Sequence, residues 1–179
     1  MTGDPVSPQG RRVLVARVTG EAGERIQAWR LQHDPGQARR LPPHTTLCYW
    51  PPAGDSAVLE AQVRHAFPAP VTVHLGAVKE FDNTDHTFYV DAHNTATLDA
   101  ARTRLYDGTH VALPGRTQWT WHVTCVRYGR ERDLAALRAA AASLSLNLPW
   151  VIDTVAYLEL RGDRYEPLCE WSLAPSHRT

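Results

Sequence analysis

Apolar and polar positions along this chain follow two different periods. Short runs that alternate, or are apolar throughout, read as strands at 13–18 (VLVARV), 44–50 (HTTLCYW) and 71–81 (VTVHLGAVKEF). Three more fall at 87–93 (TFYVDAH), 119–128 (WTWHVTCVRY) and 150–160 (WVIDTVAYLEL). A last strand near 165–173 follows the turn Arg161-Gly162-Asp163-Arg164 and forms a hairpin with its predecessor. Between them, helical spacing predicts helices near 21–33, 55–67, 96–107 and 131–145. In the last of these Leu134, Leu137, Ala141 and Leu144 share one face, so that helix packs against a sheet. Prolines 42, 43, 51 and 52 bracket the strand at 44–50, because proline breaks both helices and ladders.

The order of elements repeats. Strand, helix, histidine-bearing strand, helix, strand occurs once in 13–81 and again in 87–160. His44 precedes the closing strand of its half by 27 residues, and His122 precedes that of the second half by 28. The halves share negligible sequence identity, so the repeat is one of architecture. It predicts two similar lobes related by an approximate twofold, which would bring the two histidine-bearing strands to one cleft. The lobes are expected mainly from 13–81 and 87–173, with tails at 1–10 and 175–179.

Composition narrows the class. The chain has 179 residues, 43% of them hydrophobic and 21% charged, with a formal net charge of +0. It can bury a core, which excludes a disordered chain. No apolar run reaches the roughly 18 residues of a membrane span, and the start, MTGDPVSPQGRR, lacks an apolar signal core. Neutrality excludes a polycationic nucleic-acid coat, though not a local basic groove. Cys48, Cys125 and Cys169 are odd in number, widely spaced and without a CxxC pair. That pattern argues against a disulfide framework or structural zinc and for a reducing cytoplasm.

The candidate chemistry sits on the two histidine-bearing strands. His44-Thr45-Thr46 and His122-Val123-Thr124 share a His-x-Thr core. Nine histidines and 16 threonines predict about one such triplet by chance, and there are four. His93-Asn94-Thr95 and His177-Arg178-Thr179 lie at a strand end and the chain terminus and read as incidental. The other two occupy equivalent places in the two halves. On a strand, residues i and i+2 face the same way, so each motif presents an imidazole beside a hydroxyl. Phosphodiester cleavage needs a base for the nucleophile and an acid for the departing oxygen. Histidine titrates nearest neutrality, and threonine hydroxyls can donate to phosphate oxygens as charge builds. This scheme needs no metal and no cofactor. One motif alone would read as a strand histidine satisfied by its neighbours; two symmetric copies favour the chemistry.

The segments LPPHTTLCYW and WHVTCVR, with the closing hairpin around Ile152–Leu158 and RYEPLCEWSL, resemble the two-histidine (2H) phosphoesterases over roughly 11–174. The likeness is greatest to the branch named for bacterial 2′-5′ RNA ligase and RNA 2′,3′-cyclic phosphodiesterase. That resemblance implies a single α+β, bilobal domain, with two pseudo-twofold-related antiparallel sheets, outer helices and the paired motifs lining a central cleft. It makes His44 the proton donor to the leaving oxygen and His122 the acceptor from water, with Thr46 and Thr124 holding the phosphate. It also implies a substrate contact for Arg127, five residues after the second histidine. Strict alternation would turn Arg127 away from His122, so this role requires a bulge or a strand end. Cys125 stands where relatives carry leucine and can pack as a small hydrophobe.

The implied partners are RNA ends or nucleotides bearing a cyclic phosphate, with no membrane, and the chain is expected to be a monomer. Alternatives of the same chemistry are 2′-5′ RNA ligation and action on a small cyclic nucleotide; of another class, a silent RNA-binding domain. Secondary candidates are weaker. Arg39, Arg40 and Arg116 flank the motifs and could grip phosphate, but loop arginines are usually solvated. Tyr49, Trp50, Trp119 and Trp121 could stack on a base, although strand aromatics are more often core. Glu80 to His86 fits a hairpin turn better than a metal site. His33, His65, His74 and His110 have no partner at a telling spacing.

Overall fold

A computed structural model describes residues 11–50, 56–109 and 119–173. The tails, Pro51, Pro52, His110 and Arg116 lie outside the described residues. Among the described residues eight strands run β1 (Arg12–Arg17), β2 (His44–Trp50), β3 (Val71–Glu80), β4 (Phe88–His93), β5 (His122–Val126), β6 (Ser145–Ile152), β7 (Thr154–Arg161) and β8 (Arg164–Ser172). Interleaved are α1 (Gly20–His33), α2 (Pro35–Arg40), α3 (Ser56–Ala66), α4 (Thr95–Thr109) and α5 (Leu134–Ser143). The strands form two four-stranded antiparallel sheets, ordered β2-β1-β7-β8 and β5-β4-β3-β6. The α+β, two-sheet architecture is therefore the one the sequence predicts.

Sheet membership, however, does not follow the halves of the chain. β3, expected to close the first lobe, pairs with β4 and β6 in the second sheet. β7 and β8 return to the first sheet, where β7 pairs with β1. The apparent strand at 150–160 is two strands divided at Asp153, one in each sheet. Alternation hid this break: Val151 and Asp153 are exposed and Ile152 between them is buried, a pattern that one continuous strand shows as well. The pairs β1–β2 and β4–β5 are thus equivalent, and the closing strands are exchanged, β7 lying third in the first sheet and β3 third in the second. At the last hairpin Gly162 adopts φ 61°, the left-handed backbone that a two-residue turn requires.

Helices are exchanged as well. α1, from the first half, packs on β5 and β6, while α4, from the second, packs on β2. The exchange fuses both sheets into one apolar core that includes Leu14, Leu47, Leu75, Val90, Leu98, Trp121 and Val123. As its periodicity predicts, α5 packs on β3 with Leu137 and Ala141 buried. A second apolar cluster, Val13, Val15, Leu41, Ala156 and Leu158, lies apart from this core. Among the described residues no helix is long and apolar enough to cross a membrane.

The two halves are pinned by one carboxylate. Asp34, 3% exposed, caps α2, with Pro35 in its first turn. Its Oδ1 accepts from the Gln37 backbone N–H at 3.4 Å and from Arg132 Nη2 at 2.9 Å. Its Oδ2 accepts from the Arg127 N–H at 3.1 Å. Arg132 also reaches the His33 carbonyl at 2.7 Å. The junction of α1 and α2 is thereby fastened to the end of β5. Removing one member of a buried pair strands the other's charge, at a cost of about 3–5 kcal/mol. Because Arg132 is partly solvated, Asp34→Ala is expected at the lower end of that range, and Asp34→Asn should lose less. Urea unfolding checks this; an unchanged midpoint for the alanine variant would refute the pin.

Candidate active site

β2 and β5 are both edge strands, and they lie against one another where the two sheets meet. Each carries a His-x-Thr motif at its start. His44 and Thr46 are half-buried while Thr45 and Leu47 point into protein; His122 and Thr124 are half-buried while Val123 and Cys125 are buried. The alternation is that of a strand with one face toward a cleft. The structure thus brings both histidines and both threonines to adjoining edges.

Both imidazoles are held the same way. His44 Nδ1 lies 2.7 Å from the Pro42 carbonyl, and His122 Nδ1 lies 2.7 Å from the Thr120 carbonyl. A carbonyl only accepts, so Nδ1–H is the donor in each case and Nε2 is the free, basic nitrogen of the neutral ring. Phe81 and Tyr89, stacked with centroids 3.9 Å apart, both meet the His122 ring edge-on at 5.0 and 5.6 Å. They brace the imidazole from the β3–β4 side. Sequence reading did not connect them with His122, since only the β4–β5 register brings Tyr89 opposite Thr124.

The same irregularity follows each motif. Against β1, pairing jumps from Thr46 to Cys48; against β4, it jumps from Thr124 to Val126. One extra residue, Leu47 or Cys125, is thus accommodated as a bulge. Two consecutive buried residues follow each threonine, and the next side chain returns to the face it would otherwise leave. Those returning residues are Tyr49, 59% exposed, and Arg127, which is also exposed. Arg127 therefore has both the bulge and the strand end that a cleft-facing placement requires, and its guanidinium lies 5.7 Å from the Tyr128 ring. Cys125 is fully buried, and burial pushes its thiol up to about 12, which is the behaviour of a packing residue.

The electrostatics separate the two histidines. His44 is pushed down to about 4, first by burial and then by the Arg30 guanidinium and by His122, against the bond to Pro42. His122 is also lowered by burial, opposed by its bond to Thr120, and carries neither added charge. Arg30 is 3% exposed and donates to neutral acceptors, Gln27 Oε1 at 3.2 Å and the Gln37 carbonyl at 3.0 Å. The Asp34 carboxylate offsets part of its charge, and what remains is felt at His44. No sequence pattern marks Arg30, which reads as one more arginine on α1.

Other sequence candidates fall elsewhere. Trp121 is 1% exposed and donates its indole N–H to Asp99 Oδ1 at 2.9 Å, so it belongs to the core. Trp119 is covered by Arg102 at 4.6 Å, and Arg40 lies 5.9 Å from the Tyr165 ring. Arg39 is exposed at the end of α2. Glu80 accepts from Arg138 at 2.9 Å and pairs with His86 at 2.7 Å, tying the β3–β4 turn to α5 as a structural brace. His33 packs against Trp29, with centroids 4.4 Å apart. Among the described residues no three His, Cys, Asp or Glu side chains gather as a metal-ligand group.

Residues 19–164 match the family profile of the 2′-5′ RNA ligase superfamily. Among solved structures, TT0787 of Thermus thermophilus superposes with a TM-score of 0.67 at 18% identity, covering 93% of this chain and 100% of that one. E. coli LigT complexed with ATP gives 0.62 at 16% identity, covering 93% and 99%. LigT complexed with 3′-AMP gives 0.60 at 15% identity, covering 93% and 98%. No curated protein matches the chain by sequence.

His44 and His122, lowered chiefly by burial, and His33, lowered by burial and by Arg132, bind fewer protons folded than unfolded, so stability must rise with pH through this region. The His44 contribution is unchanged above the unfolded value near 6.5 and is lost progressively as pH falls toward about 4. Glu80, held near 2 chiefly by its bonds to Arg138, loses its contribution only below the ordinary carboxylate range. The interval from about 4.5 to 6.5 thus isolates the imidazoles. Imidazole NMR titration should show His44 as the last ring to protonate and His122 above it but below 6.5. The stability slope in this interval should shrink in His44→Gln. An ordinary His44 titration would contradict the surroundings described here.

Proposed function

Because this chain belongs to the 2′-5′ RNA ligase superfamily, we propose that it is a metal-independent phosphoesterase that opens 2′,3′-cyclic phosphates at RNA ends. The observation that carries the reading is the twin placement of His44 and His122. Each stands on an edge strand with Nδ1–H spent on a carbonyl and Nε2 left for the cleft. Relatives of the same fold have been crystallised with ATP and with 3′-AMP, and 3′-AMP has the form of an opened cyclic phosphate.

In this mechanism water attacks phosphorus in line with one ring oxygen of the cyclic phosphate. One imidazole Nε2 removes the water proton, and the other, protonated, delivers a proton to the departing ribose oxygen. The P–O bond to water forms as the P–O bond to that ribose oxygen breaks, leaving a phosphomonoester and a free hydroxyl. Thr46, Thr124 and Arg127 donate to the non-bridging oxygens as their charge grows. The family resemblance gives His44 the acid role and His122 the base role. In the free protein Arg30 and His122 both oppose a proton on His44, so that assignment relies on the phosphate itself to draw the proton into the cleft. Once substrate is bound the two rings titrate as a coupled pair.

His44→Ala and His122→Ala should each abolish most turnover of a 2′,3′-cyclic nucleotide, with far-UV circular dichroism unchanged. Near-normal kcat/KM in either would defeat the two-histidine mechanism. Thr46→Val and Thr124→Val, which keep shape but remove a donor, should cost at most about 2.7–4 kcal/mol in transition-state stabilisation.

The pH profile tests the division of labour. One ring must be neutral and one protonated, so kcat/KM should be bell-shaped. That parameter reports the free enzyme, in which both rings are lowered, so its maximum should lie on the acid side of the ordinary histidine value. The bound anion favours the imidazolium, so the kcat profile should move upward in pH. Saturating EDTA should leave both profiles intact. Loss of activity in EDTA with recovery on adding a divalent ion would replace this reading with metal-assisted hydrolysis.

A further inference from the structure

Beside His122 lies a charged cluster that the proposed reaction does not use. Asp91 on β4 is the register partner of His122 on β5. Directly opposed residues on antiparallel strands share a face, with Cβ atoms about 4.5–5.5 Å apart. Asp91 is 7% exposed; its Oδ2 accepts from Lys79 Nζ, and His93 Nε2 lies 3.1 Å from the same oxygen. Lys79 reaches it from β3, where it pairs in register with Tyr89. His93 reaches it from the end of β4 by lying over Gly76. A Cβ at Gly76 would stand 3.1 Å from His93 Nε2 and 3.6 Å from Cδ2, so only glycine leaves the ring this much room. β3 is irregular at that point against both of its neighbours. A bulge, a glycine and a buried carboxylate together fix two nitrogen-bearing side chains beside the reactive edge.

These side chains retain donors. Lys79 has three N–H groups, and His93 keeps Nδ1 while Nε2 faces Asp91. Their side chains are 52% and 59% exposed, whereas the carboxylate that anchors them is nearly covered. Neighbouring strands are about 4.8 Å apart, so the pair sits one to two strands from His122, within the span of a single nucleotide. Ammonium and imidazole donors on that scale suit a phosphate oxygen better than a neutral group.

We infer that Lys79 and His93, positioned by Asp91, form a subsite for a second phosphate group of the substrate, next to the phosphate handled by His44 and His122. This rests on the reading of the cleft given above. The second phosphate has two sources of the same chemistry: a free 5′-phosphate on the terminal nucleotide, or the phosphodiester joining that nucleotide to the rest of an RNA strand.

Three substrates separate these sources: a nucleoside 2′,3′-cyclic phosphate, the same compound with a 5′-phosphate, and a dinucleotide ending in a 2′,3′-cyclic phosphate. The protein should prefer at least one second-phosphate substrate by about tenfold or more in kcat/KM. Preference for the 5′-phosphate compound alone identifies a free terminal phosphate; preference that includes the dinucleotide identifies the RNA strand. In Lys79→Ala and in His93→Ala the ratio should collapse toward one. A variant that merely loosens the sheet would lower all three rates and leave the ratio intact, which would overturn the inference, as would a ratio near one in the unaltered protein. Binding is read separately by calorimetry with nucleoside 3′-monophosphate and 3′,5′-bisphosphate. Lys79 is the only lysine in the chain, so ¹³C-methylation gives a second, local NMR reading. If no cyclic phosphate is turned over, yet the bisphosphate binds more tightly through Lys79 and His93, the subsite stands and the proposed reaction falls. If turnover occurs with no preference for either second-phosphate substrate and the bisphosphate binds no better, the subsite falls and the reaction stands.

Discussion

The cleft depends on two unpaired sheet edges being held side by side, and the Asp34 carboxylate is what holds them at one end. β2 and β5 belong to different sheets, so no shared ladder fixes their spacing. Asp34 takes its hydrogen bonds from both halves of the chain, at Gln37 and at Arg127 and Arg132. It also sets where β5 stops, because the Arg127 N–H is committed to Oδ2 and cannot continue the strand. The exchange of α1 and α4 between sheets works in the same direction, since neither sheet can move without disturbing the other's helix. Reacting groups must be held to within a fraction of an ångström, and this scaffold supplies that constraint from the core outward.

The bulges transmit the constraint to the side chains. A regular strand would place His44, Thr46 and Cys48 on one face, and a thiol would occupy the position beyond the threonine. Inserting one residue buries Leu47 and Cys48 together and brings Tyr49 back toward the cleft side. The second motif does the same with Cys125, Val126 and Arg127. A local departure from alternation, repeated at the same offset, thus adds a third side chain to each imidazole–hydroxyl pair.

Much of this was legible from the residues. The strands bearing His44 and His122 and four of the helices follow from period and punctuation, because burial on one face imposes that pattern directly, while the two-sheet α+β architecture follows from the resemblance that the two motifs carry. Sheet membership did not follow, since the β3–β6 and β1–β7 pairings join segments far apart in sequence. The crossing at Asp153 is invisible to a hydrophobicity pattern that sees only burial and not which sheet does the burying. α2 is marked by Asp34-Pro35, a capping residue followed by proline at the first helical turn, but at six residues it is too short for periodicity to register. Arg30, Phe81 and Asp91 gain their significance only from tertiary neighbours, so nothing in their local sequence could single them out.

The two halves of the site are alike in backbone and unlike in charge, and that difference matters for the chemistry. In register, the residue opposite His44 is Arg17 and the residue opposite His122 is Asp91. Each is paired in turn, Arg17 with Glu170 and Asp91 with Lys79 and His93. Buried Arg30 then adds its charge on the His44 side alone. A symmetric pair of imidazoles would hold a proton equally well, and the acid and base roles would interchange freely. Unequal surroundings break that degeneracy, so the two histidines of the free protein differ in proton affinity. The backbone repeat places two alike imidazoles on adjoining edges; the unrepeated surroundings make His44 the harder of the two to protonate in the free protein, so the acid role proposed for His44 depends on a bound phosphate.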